Sequence, residues 1–188
     1  MRIVAGKYKG RKILSSGGGD FRPTLDRVKE ALFSTLAKRV EDCFFGDIYA
    51  GSGSIGLEAL SRGASRVVFV ENSRKRRLLI EKNCSRILSE EDKRKVLFLD
   101  DVRHIIENRD YESYFDTLFY DPPYATFEAL IERKIIRDFM ENAFSLVKKK
   151  GIFVLEAPQF FLNQLKQLDI LPDKEKKYGK IYLLYYCL

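Results

Sequence analysis

Asp47-Ile48-Tyr49-Ala50-Gly51-Ser52-Gly53-Ser54-Ile55-Gly56 places three glycines where a short apolar run gives way to a helical pattern. In that context Gly51-x-Gly53-x-x-Gly56 is a turn whose missing side chains let a ligand approach the backbone and the following helix N-terminus. Glu71 closes the next apolar run, where a carboxylate can accept hydrogen bonds from ribose hydroxyls. The set predicts an adenosine-containing cofactor and leaves NAD and S-adenosylmethionine both open. Two features favour the second. About forty residues, including a helix, precede the turn, whereas NAD folds usually open with theirs. Asp47 would also set a carboxylate near a cationic amino-acid cofactor.

Asp121-Pro122-Pro123-Tyr124 directly follows the apolar run Thr117–Tyr120. The C-terminal ends of strands border the ligand crevice in open α/β sheets. Successive prolines stiffen the loop and restrict the residue before them. They hold the Asp121 carboxylate and the Pro122 carbonyl as acceptors, with Tyr124 as a flat apolar face. Such a set suits an exocyclic base amine. Two acceptors take its N–H groups and aim its lone pair at a methyl donor, while the ring stacks on the base. Asp121, Pro122 and Tyr124 are the predicted catalytic residues.

The elements that carry these motifs alternate. Short apolar runs at 44–49, 67–70, 96–99, 117–120 and 152–155 are separated by helical patterns near 57–62, 74–89, 102–109, 126–147 and 159–168. That rhythm predicts an α/β fold with a mostly parallel sheet covered on both faces. Residues 169–178 and 181–187 break the rhythm and predict a C-terminal antiparallel hairpin across Tyr178-Gly179-Lys180. Ahead of everything, Ile3-Val4 and Ile13-Leu14 flank Gly6 and Gly10 and predict a small β-ribbon, followed by a glycine-rich loop over 15–20. A helix starts near Thr24.

The whole chain has 188 residues, 45% hydrophobic and 32% charged, which fits a folded protein rather than a disordered one. Residues 1–23 hold six basic side chains and one acid, whereas the other 165 are nearly balanced. We therefore divide the chain into a basic extension, 1–23, and a cofactor-binding domain, 24–188. Lys7, Lys9, Arg11 and Lys12 lie where they can reach the phosphates of a polyanion. Three widely spaced cysteines and one histidine offer no disulfide framework and no zinc spacing, and no metal is expected. The sequence shows no apolar run of about 18 residues and no signal-peptide core, which predicts a cytoplasmic protein without membrane contact. Arg74–Arg77 read as a solvated helix face, His104 as structural, and Tyr178, Tyr182, Tyr185 and Tyr186 as strand packing. Lys148-Lys149-Lys150-Gly151 reads as the close of a helix, with cations at its C-terminal dipole.

The Asp-Pro-Pro-Tyr loop with Asp-x-x-Ala-Gly-Ser-Gly resembles class I amino-group methyltransferases. More narrowly, the chain resembles the RsmD family, on Arg2-Ile3-Val4-Ala5-Gly6, Gly10-Arg11-Lys12, the Arg22-Pro23-Thr24 block running on to Phe33, and Gly56–Ala64. The resemblance implies a Rossmann-like seven-stranded sheet and transfer of a methyl group from S-adenosylmethionine to a guanine N2 amine of 16S rRNA. It implies a monomer acting on RNA within a partly assembled 30S subunit. It also implies that Arg22 and Thr24 close over the methionine end of the cofactor and that Asp47, Gly51 and Gly53 form its first motif. Glu71 would bind the ribose, and Asp101 and Val102 the adenine, with Asp100 the alternative register. Three other readings compete: an adenine-N6 methyltransferase on DNA or RNA, a nicotinamide oxidoreductase, and an RNA-binding assembly factor without activity.

Overall fold

A computed structural model describes residues 1–15 and 23–188, with side chains from residue 26 onward in the first helix. Arg22, residues 16–20 of the predicted loop and the Thr24 side chain lie outside the described set. The chain divides into two compact units, Met1–His104 and Ile105–Leu188.

The first unit runs α1 (Pro23–Leu36), β1 (Phe44–Ile48), α2 (Ser54–Ser61), β2 (Arg66–Val70), α3 (Arg74–Ile87), α4 (Glu90–Lys93) and β3 (Val96–Leu99), and ends in the start of α5 (Val102–Glu107). Its strands pair in parallel in the order β3-β2-β1. β1 and β2 are almost wholly buried, as apolar strands covered on both faces should be. Gly56 sets how closely α2 meets β2: a Cβ there would lie 2.3 Å from the Phe69 ring.

The predicted N-terminal ribbon forms one antiparallel bridge, Arg2 to Lys12, and no strands. Its arms bond each other, Ile3 N–H to the Arg11 carbonyl (3.0 Å), Gly10 N–H to the Ile3 carbonyl (2.9 Å) and Ile13 N–H to the Met1 carbonyl (3.1 Å), and further bonds dock it on α2. Glu58 of α2 accepts from the N–H groups of Val4 (2.7 Å) and Ala5 (3.0 Å), and the Ser61 carbonyl accepts from Lys7 N–H at 2.7 Å. Gly6, at φ 81°, lets the segment touch α2; a Cβ there would sit 1.8 Å from the Ser61 carbonyl oxygen. Ile3, Tyr8 and Ile13 are buried.

The second unit carries β4 (Phe115–Tyr120), α6 (Tyr124–Glu132), α7 (Ile136–Ser145), β5 (Val147–Pro158), α8 (Gln159–Gln167), β6 (Lys174–Tyr178) and β7 (Ile181–Cys187). Its strand order is β4-β5-β7-β6, with β4 and β5 parallel and β7 antiparallel to both neighbours. The predicted C-terminal hairpin is present, with Tyr178 facing Ile181. The predicted tyrosine packing holds for Tyr182, Tyr185 and Tyr186, all buried on β7. The seven strands give the expected α/β class, parallel except at this end.

Two expectations fail here. The helix predicted over 126–147 is two helices, because Lys134 adopts φ 57°. Ile135 N–H then bonds the Leu130 carbonyl and Lys134 N–H the Ile131 carbonyl, a Schellman stop without its usual glycine. Lys148–Gly151 do not close a helix. They lie in β5, where the pairing steps from Phe115–Val147 to Thr117–Ile152 and the extra residues bulge out. Lys148 there binds Asp116 at 2.9 Å.

Candidate active site

In the first unit, the loops after β1, β2 and β3 converge. Gly51 at φ 58° and Gly53 at φ 75° turn the chain from β1 into α2. Gly51 N–H donates to Glu71 Oε2 at 3.0 Å, and Ser73 N–H donates to Glu71 Oε1 at 2.9 Å. Glu71 thus ties its own loop to the glycine turn. A carboxylate has about four acceptor positions, so two remain beyond these bonds, with the Arg76 guanidinium 3.8 Å from Oε1. The Cβ direction of Gly51 meets nothing nearer than 3.9 Å, whereas that of Gly53 points into Ile80 and Phe69. Gly51 therefore offers open backbone to a ligand, and Gly53 serves the turn and its packing.

Asp47 is buried, and its Oδ2 accepts from Gly56 N–H at 2.8 Å, inside the first turn of α2. Asp101 accepts from Arg103 N–H at 2.9 Å and pairs with the Arg103 guanidinium. Hydrogen bonds from Arg103 hold its carboxyl below the usual range. Asp100 instead pairs with Arg77 of α3. Burial raises the Tyr49 hydroxyl, and the charge of Asp101 raises it further, which places the β1 and β3 loops side by side. Val102 is half-buried and His104 exposed.

One buried side chain escaped the sequence reading. Asn83 on α3 accepts from Leu14 N–H (2.9 Å) and donates to the carbonyls of Leu14 (3.0 Å) and Ser52 (3.0 Å). It joins the N-terminal segment to the glycine turn. A lone Asn in a helical pattern carries no signal of such a role.

In the second unit, Asp121 follows the last residue of β4, and Tyr124 opens α6. Pro123 supplies the extended residue before the helix, and its carbonyl accepts from Thr126 N–H at 2.8 Å. Pro122 is buried beneath the loop, and Tyr124 is 51% exposed. Tyr120 faces Leu155 across β4 and β5, so Asp121 and Glu156 come next in register on adjacent strands. Desolvation pushes the Asp121 carboxyl up to about 6. Solvent still reaches it, because the residue presents accessible surface, so it ionises near neutrality. Desolvation, then the charge of Asp121, pushes Glu156 up to about 8. The pair loses its protons in two steps, and Asp121 becomes an acceptor first. Glu156 was missed because an isolated acid in an apolar run means nothing until strand register gives it a neighbour.

The predicted RNA contacts divide. Lys7 binds Asp92 at 2.8 Å, and Arg11 bonds the Ile87 carbonyl and lies over the Tyr8 ring. All four residues, Lys9 and Lys12 included, are exposed. Among the described residues no group of three or more His, Cys, Asp or Glu could hold a metal, and no helix is long and apolar enough to cross a membrane.

A parallel α/β sheet with an antiparallel hairpin at its C-terminal end, a glycine turn after β1 and an Asp-Pro-Pro-Tyr loop after β4 define the class I methyltransferase fold. The solved structure described as "Putative methyltransferase yhhF from Escherichia coli" shares that fold at TM-score 0.75 and 24% identity, covering 100% of this chain and 97% of that one. Residues 1–187 match the family described as conserved hypothetical protein 95. The chain belongs to that family, the RsmD family. Among its relatives is ribosomal RNA small subunit methyltransferase D of Haemophilus influenzae, 35% identical over 66% of this chain. That match spans 64% of the relative's length, just under two thirds. The protein of the same name from Buchnera aphidicola of Acyrthosiphon pisum is 29% identical over 95% of this chain and 85% of its own length.

Proposed function

We propose that the chain transfers a methyl group from S-adenosylmethionine to the exocyclic N2 amine of a guanine in 16S rRNA. The observation that carries this reading is the Asp121 loop. A carboxylate that ionises near neutrality stands at the end of β4 beside a buried proline and an exposed aromatic ring. The names of the family relatives support the rRNA substrate.

The glycine turn fits the cofactor: open backbone at Gly51, a carboxylate with acceptor capacity to spare at Glu71, and Asp101, followed by Val102, close enough to Tyr49 for its charge to be felt there. Bound there, S-adenosylmethionine supplies a methyl group already activated by its cationic sulfur. The chain then has to orient. Asp121 and the Pro122 carbonyl accept the two N–H bonds of the amine and turn its lone pair outward. Tyr124 holds the base by stacking. Positioning of this kind is worth about 7–11 kcal/mol in favourable cases. Asp121 stabilises positive charge growing on the amine nitrogen, and the surplus proton leaves after methyl transfer. Arg22 and Thr24 are proposed to close over the methionine end. Lys7, Lys9, Arg11 and Lys12 form the RNA-facing side of the N-terminal segment. The protein is proposed to act in the cytoplasm, as a monomer, on a partly assembled 30S subunit.

The test is transfer of tritiated methyl to 30S particles and to free 16S rRNA from cells lacking the enzyme, with nucleoside analysis. N2-methylguanosine is expected; label in N6-methyladenosine, or none with either substrate, overturns the reading. Asp121→Ala should lower methyl transfer about a hundredfold or more and leave cofactor binding intact. Wild-type turnover in that variant would remove the role given to Asp121.

A further inference from the structure

We propose that a groove beside Tyr124 is a subsite for the single-stranded nucleotide next to the target base. The proposal rests on the rRNA reading above and extends it from one base to its neighbour. The groove has a volume of about 540 Å³ and lies wholly within the second unit, between the start of α8 and the β6–β7 turn. That size lies in the range of small-ligand sites.

Its walls have two chemistries. Among the described residues, the exposed large hydrophobic side chains include two aromatic rings, Tyr124 and Phe160, and both line this groove. Exposed aromatic faces are costly in water and useful for stacking on unpaired bases. Their centroids lie 6.4 Å apart with a 37° tilt. That tilt prevents the two rings from sandwiching one base, so each offers its own face. Tyr124 belongs to the Asp121 loop and takes the target; Phe160 takes the neighbour.

The opposite wall is cationic. Lys177 and Lys180 flank the Gly179 turn, both exposed, and no acidic side chain joins the lining. The Lys177 ammonium lies 5.5 Å from the Tyr182 ring centroid, which holds it over the groove. The Tyr182 hydroxyl bonds Gln159 Oε1, and Gln159 Nε2 donates to Asn163 Oδ1 at 3.0 Å. This chain fixes the polar floor. Aromatic steps on one side and two unopposed cations on the other fit a base and its phosphate. Paired RNA would keep its bases stacked on each other and out of reach of Phe160.

Ultraviolet cross-linking of the wild-type protein to 16S rRNA, read by mass spectrometry, should place nucleotide adducts on the peptides bearing Phe160 or Lys177–Tyr182. Phe160→Ala should weaken rRNA binding roughly 5- to 150-fold, the range for loss of one base stack, with S-adenosylmethionine affinity unchanged. Phe160→Tyr, which keeps the aromatic face, should restore rRNA binding, whereas Phe160→Leu, which keeps apolar bulk without a ring, should not. The double variant Lys177→Gln, Lys180→Gln should flatten the salt dependence of rRNA binding by about 1.4 in log–log slope. If the wild type methylates 16S rRNA but Phe160→Ala and the double variant both bind it within twofold of wild type, the subsite is wrong and the rRNA reading survives. If the wild type neither binds nor methylates rRNA, both fall together.

Discussion

Asp121 and Glu156 hold their protons more tightly than ordinary carboxyls: desolvation raises both, and the charge of Asp121 raises Glu156 further. For Asp121 this sets when it can serve as an acceptor. A carboxyl raised to about 6 is protonated at mildly acidic pH, and a protonated acceptor cannot take an amine N–H along the same lone pair. The rate of methyl transfer should therefore fall as pH drops through about 6, some two units above an ordinary aspartate. A single-turnover pH profile checks this. A rate flat down to pH 5 would mean that Asp121 does not contact the amine. Glu156 stays neutral over the same interval, so the site meets its substrate with one negative charge rather than two.

The N-terminal segment behaves as a docked element because α2 and α4 supply what its backbone and side chains lack. Asp92 of α4 is central. Burial opposes its ionisation, but hydrogen bonds from Lys7, Lys95 and Tyr8 outweigh that and hold it well below the usual carboxylate range. A carboxyl depressed in the folded state stabilises above its unfolded value, about 4, and loses that contribution as pH falls towards the folded value. Asp92→Asn should therefore lower stability at pH 7 and reduce its decline between pH 4 and 2, measured by urea unfolding. Equal acid sensitivity in both proteins would show that Asp92 does not clamp the segment. The same elements show what could be read in advance. The boundaries of β1, β2 and β3 were legible because apolar runs flanked by polar residues leave few alternatives. The break at Lys134 was not, because a left-handed residue there is a lysine, and the stop shows only in the Leu130 and Ile131 carbonyl bonds. The glycine turn was legible as a ligand turn. That Gly53 faces Ile80 while Gly51 faces open space required α3 to be in place. Gly6 and Gly10 mark the turn of the ribbon in the sequence, and the structure keeps it: the chain pairs with itself through Ile3–Arg11 and Ile13–Met1, while Gly6 also meets α2.

Across the molecule the net charge of +7 is less available than it looks. Lys7 and Arg11 stay exposed but bond Asp92 and Ile87, so part of their charge is committed within the protein, and Lys9 and Lys12 are exposed beside them. Lys9→Gln with Lys12→Gln should reduce the salt slope of rRNA binding by about 1.4 to 1.8, whereas Lys38→Gln, on the exposed turn after α1, should leave it unchanged. Equal slopes in the double variant and the wild type would move the RNA path away from this segment. Asn83 gives the described contacts a further meaning. One amide group holds both the Leu14 backbone and the Ser52 carbonyl, so neither strand of that knot can loosen without exposing a buried polar group. The Leu14 N–H then becomes a reporter for a loop thirty-eight residues away. Its deuterium exchange should slow when S-adenosylmethionine tightens the glycine turn, a clock at one end of the chain keeping time for the other.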